Sequence, residues 1–147
     1  MSFLLDTNIL LRLVQPGHPM CWIAINAISS LRQQQEPIWI TPQILIEFWA
    51  VATRPIERNG LGISVEIATQ EVNSINGFFP LKPDIPDVFP TWQKLVVQHQ
   101  VVGKQVHDTR LVALMIAHQI PRLLTFNSAD FKRFPQITAI DPQTVLT

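Results

Sequence analysis

Phe3-Leu4-Leu5-Asp6-Thr7-Asn8, inside the run from Ser2 to Val14, decides the fold. Phe3, Leu4 and Leu5 are a short apolar run of the kind that makes a strand buried on both faces. The run stops at Asp6. Ile9, Leu10, Leu13 and Val14 then fall at helical spacing, which predicts a helix from about Thr7. Asp6 therefore stands at the carboxyl end of a central strand, where ligands bind in open α/β sheets. A carboxylate set over an apolar core is costly to keep ionised without a partner. Its simplest role is to cap the helix that follows, since Asp is a favoured N-cap residue. A chemical role requires other carboxylates in the same predicament.

Working outward, helix and strand signals alternate. The helix over 7–14 ends at Gln15-Pro16-Gly17. Ile23, Ala24, Ala27, Ile28 and Leu31 mark an amphipathic helix over 20–34, and Ile38-Trp39-Ile40 a second strand. Thr41-Pro42 opens the next helix, with Thr41 as N-cap and Pro42 in the first turn. That helix is apolar nearly all round, so deep burial is expected. Glu47 is its one charge and shares a face with Ile44, Phe48 and Val51. It calls either for a salt bridge, to Arg54 or Arg58, or for a metal or functional cluster.

Ser64 caps a helix running to Asn76-Gly77, and 78–81 reads as a short edge strand given Pro80. Asp84 and Asp87 read as acids at the start of a helix over 88–100. His107-Asp108-Thr109-Arg110 opens another helix, with Asp108 on the face of Leu111, Val112 and Met115. Strands over 122–126 and 137–140 complete the chain. Strands alternating with helices imply an α/β fold: a three-layer α/β/α sandwich with a central, mainly parallel sheet.

The 147 residues suit one domain, 1–147. The chain is 47% hydrophobic and 15% charged, apolar enough to suggest a surface buried against a partner. Eleven basic residues balance eleven acidic ones, so no global charge draws the chain to nucleic acid. No apolar run reaches the roughly 18 residues of a membrane span, and the start lacks a basic signal sequence. One cysteine, Cys21, excludes an internal disulfide framework and a cysteine zinc site. A cytoplasmic location is the expectation.

Asp6, Glu47 and Asp108 are thus acids on otherwise apolar surfaces. If they converge, like charges at a few Å need a cation. Oxygen donors without a Cys or His cluster suit Mg²⁺ or Mn²⁺. Such a site polarises phosphate and activates water, which points to phosphodiester cleavage.

Four pieces in order carry a resemblance over essentially the whole chain. They are Leu4-Leu5-Asp6-Thr7-Asn8, Ile46-Glu47-Phe48, His107-Asp108-Thr109-Arg110-Leu111-Val112-Ala113 and Leu124-Thr125-Phe126-Asn127-Ser128-Ala129-Asp130-Phe131. The sequence resembles PIN-domain ribonucleases, close to the VapC-type toxins of toxin–antitoxin modules. The resemblance implies Mg²⁺- or Mn²⁺-dependent endoribonuclease activity, a homodimer and neutralisation by a small antitoxin. It implies Asp6, Glu47 and Asp108 as metal-site carboxylates, with Thr7, Asn8 and Thr125 orienting ligands or water. The family often adds a fourth acid in the last piece; here Asn127 and Asp130 compete for that position. A haloacid-dehalogenase-like phosphatase needs a second Asp two residues after the first, where this chain has Asn8. A non-catalytic module binding RNA or a protein partner on the same fold is the alternative function.

Overall fold

Four strands form one sheet in the order β2–β1–β3–β4, each neighbouring pair parallel. They are β1 (Phe3–Leu5), β2 (Ile38–Trp39), β3 (Arg122–Leu124) and β4 (Thr138–Ile140), in a computed structural model that describes residues 1–145. The last two positions of the expected domain, 1–147, lie outside the described residues. Leu4 and Leu5 pair with Leu123 and Leu124, and all four side chains are fully buried. This is the two-sided burial that a continuous apolar run requires.

Parallel neighbours need crossover connections, here helical. α1 (Thr7–Leu13) and α2 (Pro19–Gln33) lead from β1 to β2. α3 (Pro42–Thr53), α4 (Val65–Phe78), α5 (Val88–Gln98) and α6 (Gln105–His118) then lead to β3, on the other side of β1. The chain leaves β1 in one direction and returns on its opposite flank. Strand order therefore reverses between β1 and β3, which opens a crevice at their carboxyl ends. The α/β/α architecture with a parallel central sheet is the one expected from the sequence.

Local chemistry starts the helices where the sequence indicates. Asp6 is the N-cap of α1, its Oδ1 accepting the Thr7 N–H at 2.8 Å. Thr41 Oγ1 accepts the Ile44 N–H at 3.3 Å, with Pro42 in the first turn of α3. Ser64 Oγ accepts the Ile67 N–H at 3.1 Å at the start of α4.

Several expectations are corrected. α3 is not buried all round: Ile44, Phe48 and Ala52 are in the core, but Ile46 is 68% exposed. Its inner stripe packs against α1 and α4, and the opposite side borders an open cavity. α4 does not stop at Gly77 but continues to Phe78, whose ring meets Phe79 edge-on and lies under the Arg32 guanidinium. Little of the expected edge strand over 78–81 remains; a bridge from Leu81 to Ile40 is its remnant. Asp84 does more than start a helix, since it pairs with Arg110 at 3.1 Å.

Candidate active site

Asp6 and Thr125 follow adjacent strands and meet in the crevice. The Thr125 hydroxyl donates to Asp6 Oδ2 at 2.8 Å. Asn8, the second residue of α1, fastens the junction: its Nδ2 donates to Thr125 Oγ1 at 3.1 Å, and its Oδ1 accepts the Phe126 N–H at 3.1 Å. The neighbouring backbone adds one more bond, from the Asn127 N–H to Thr125 Oγ1 at 3.0 Å. Asp6 is therefore a helix cap whose second oxygen faces the crevice. Its other oxygen already serves the Thr7 N–H, so its orientation is fixed from two sides.

Glu47 reaches the same place from α3. Thr7 Oγ1 donates to its Oε2 at 3.0 Å, and Gln43 Nε2, one turn earlier on α3, donates to its Oε1 at 2.8 Å. The expected alternative partners, Arg54 and Arg58, are exposed at the far end of α3 and make no ion pair with it. Gln43 also donates to the His107 carbonyl at 2.8 Å and accepts from Arg110 Nη1 at 2.6 Å. One buried amide thus ties Glu47 on α3 to the first turn of α6, which carries Asp108.

Glu47, Asp108 and Asp130 line one open cavity of about 770 Å³, with Lys104, Arg110 and Ile46 also on its wall. Asp130 enters from a single 3-10 turn, Ser128–Phe131, after β3. Asn127 is exposed and offers its backbone N–H, not its amide, to the cluster. His107 is exposed, with its carbonyl engaged by Gln43.

The electrostatics show four acids without a matching cation. Burial raises the Asp6 carboxyl above the usual carboxylate range; Glu47 and Asp130 push the same way, while the Thr125 and Thr7 hydrogen bonds oppose. Asp108 is raised to about 6, first by burial and then by the charges of Asp6, Asp130 and Glu47, against a lowering by His107. Among the described residues Asp108 accepts no hydrogen bond and forms no ion pair. Of the two cations on the wall, Arg110 is committed to Asp84 and Gln43, and Lys104 forms no ion pair with these acids.

The donor set suits a hard divalent cation: carboxylate oxygens, supported by hydroxyls and amides, with no thiolate. Among the described residues no three of these groups are gathered as a finished metal cage. Mg²⁺ does not require one, because it keeps several waters and binds through one or two carboxylates. The raised Asp6 and Asp108 carboxyls are the stronger observation: burial raises them first and neighbouring acids second, and a bound cation would offset both costs by favouring the charged form.

Sequence reasoning singled out the acids, Thr7, Asn8 and Thr125, but not Gln43, Arg110 or Lys104. The signal for Gln43 was present: it lies four residues before Glu47 on a helix, where side chains meet.

A family model described as the PIN domain matches residues 3–137. No curated protein matches the chain significantly in sequence. Solved structures are similar in fold. VapBC2 from Rickettsia felis, solved with a DNA fragment from its promoter, gives a TM-score of 0.72 at 17% identity, covering 95% of this chain and 98% of that one. FitAcB from Neisseria gonorrhoeae gives 0.73 at 15% identity, covering 97% and 99%. VapC20 from Mycobacterium tuberculosis, described as a sarcin–ricin loop cleaving toxin, gives 0.61 at 17% identity, covering 83% and 87%.

Proposed function

This chain belongs to the PIN domain family, and from that premise we propose that it is a Mg²⁺- or Mn²⁺-dependent endoribonuclease, the toxin of a toxin–antitoxin pair. The observation that carries the reading is the convergence of Asp6, Glu47, Asp108 and Asp130 at the switch point, where burial first, and the charges of neighbouring acids second, raise the Asp6 and Asp108 carboxyls. Asp6, Asp108 and Glu47 are the residues that would hold the metal. A bound Mg²⁺ or Mn²⁺ supplies Lewis-acid polarisation of the phosphodiester and a lowered pKa for the attacking water.

The chain's own residues do the positioning. Thr125 and Asn8 hold Asp6. Thr7 and Gln43 hold Glu47 with both its oxygens engaged. Lys104 and Arg110 put positive charge on the cavity wall, where it meets an RNA backbone. Asp130, on the same wall, fits the fourth acid position better than Asn127, whose amide is not engaged with the cluster.

An antitoxin partner is supported by the similarity to VapBC2, itself solved as a complex. A groove of about 360 Å³ between α2 and α4, walled by Ile25, Ile28, Ile75 and Phe78, suits an apolar antitoxin segment. Trp22, 68% exposed on α2, is a candidate anchor for that partner or for a homodimer. Among the described residues no helix is long and apolar enough to cross a membrane. The proposed setting is the cytoplasm.

The test is divalent-dependent cleavage of RNA by the purified chain beside Asp6→Asn. The parent cleaves, and the variant, folded by circular dichroism, does not. Full activity in Asp6→Asn overturns the reading; RNA binding without cleavage by the parent favours the non-catalytic module.

A further inference from the structure

Next to the acidic cavity lies a second, mostly apolar one of about 470 Å³, and His107 and Arg110 line both. It is formed by the loop before α5, the first turns of α5 and the start of α6. Phe89 is 64% exposed on its wall. The Phe89 ring stacks on Trp92 with centroids 5.8 Å apart and planes 26° from parallel. Trp92 is held in turn by its Nε1–H, which donates to the Val106 carbonyl at 2.9 Å. The pair is thus an aromatic platform fixed to α6, with a large part of the Phe89 ring open to solvent.

We propose that this cavity is a nucleobase subsite, taking one unpaired base of the RNA strand whose backbone crosses the acids. The proposal rests on the ribonuclease reading and adds where the substrate is gripped. Three features select a base. An exposed ring backed by a second aromatic gives a base a π-face, and base–aromatic stacking tolerates any base. Arg110 stands where the two cavities join, its guanidinium oriented by Gln43 and Asp84, so a cation faces the backbone between base and scissile phosphate. The volume lies within the range of about 300–1,000 Å³ typical of small-molecule sites. A base stacked inside a duplex cannot enter, so the subsite selects single-stranded or looped RNA.

The test measures binding of a fluorescently labelled oligouridylate by anisotropy, on an Asp108→Asn background that prevents cleavage. Phe89→Leu keeps an apolar side chain but removes the π-face; Phe89→Trp restores it. Phe89→Leu should weaken binding about tenfold, and Phe89→Trp should not. An abasic sugar, walked along the oligomer, should cost the Phe89-containing protein a similar factor at one position and cost Phe89→Leu nothing further there. Equal affinities in all three proteins overturn the subsite. So does loss of self-association in Phe89→Leu with RNA affinity intact, which would make a second copy of the chain the occupant. Cleavage of the same RNA by the parent keeps the two readings apart. Cleavage with Phe89-independent binding sinks only the subsite. Phe89-dependent binding without any cleavage sinks only the ribonuclease. No binding at all sinks both.

Discussion

Asp108→Asn should make the metal-free protein more stable at neutral pH and leave it no more stable in acid. The carboxyl moves from its ordinary value of 3.8 to about 6 on folding, first because it is buried and then because Asp6, Asp130 and Glu47 face it. Such a group binds its proton more tightly when folded. Stability is therefore greatest below the unfolded value and falls as pH rises through about 6. At face value the shift corresponds to about 3 kcal/mol. Asp108 is only half-buried, so solvent screening reduces this to about 1.5 kcal/mol. The negative charge in the first turn of α6 regains about 0.5 kcal/mol from the helix dipole. About 1 kcal/mol remains, or about 3 °C in Tm for a chain of this size. Thermal unfolding with a chelator, at about pH 7.5 and about pH 4, reads both predictions directly. Adding Mg²⁺ should then raise the parent's Tm and barely move the variant's, because ligand binding to the folded state is lost with the carboxylate. Equal Tm values at neutral pH would refute the reasoning, as would the same gain at both pH values, which would make it a packing effect.

Four further outcomes follow from the geometry. Cleavage at low Mg²⁺ should fall as pH drops through about 6, where the raised Asp108 takes up its proton, and excess Mg²⁺ should move that fall to lower pH; a pH–rate profile at two metal concentrations checks it. Gln43→Leu removes a donor to Glu47 and to the His107 carbonyl and leaves Arg110 only its pair with Asp84, so Mg²⁺ affinity measured by titrating the cleavage rate should drop about tenfold, as is usual when a ligand's support is lost. In the same titration Asp130→Ala should weaken metal dependence more than Asn127→Ala, and the opposite ranking would give Asn127 the fourth position. Sedimentation at micromolar concentration should show a homodimer, and a monomer would count against burial of the exposed apolar residues on a second copy.

Much of this molecule was readable from residue order because its signals are local. The apolar run before Asp6, the Thr41-Pro42 start of α3 and the acids on apolar helices each declare themselves within a few residues. Convergence of those acids is not local. It depends on β3 returning beside β1, and periodicity does not state strand order. Gln43 escaped notice for a related reason: a neutral amide near a helix start reads as solvated, and its partners His107 and Arg110 lie over sixty residues away. The near-continuous apolar sequence of α3 predicts burial all round, whereas a cavity opens on the side of Ile46. At 78–81 the strand expectation failed because Phe78 keeps its helical position under Arg32, through contacts with another helix.

The brevity of the strands bears on how this apolar chain stays in solution. The outer strands pair over only two residues at β2 and three at β4. Beyond β2, Ile40 is already engaged by Pro80 and Lys82, and proline has no N–H to offer a further strand. Long flat hydrophobic edges template cross-β stacking, and here the margins are too short to do so. Most of the accessible apolar groups, including Trp22, Ile46, Phe78 and Phe89, are instead side chains on helices. Crowding at high expression should therefore give side-chain-mediated association, dispersed by dilution, and no thioflavin-binding fibrils.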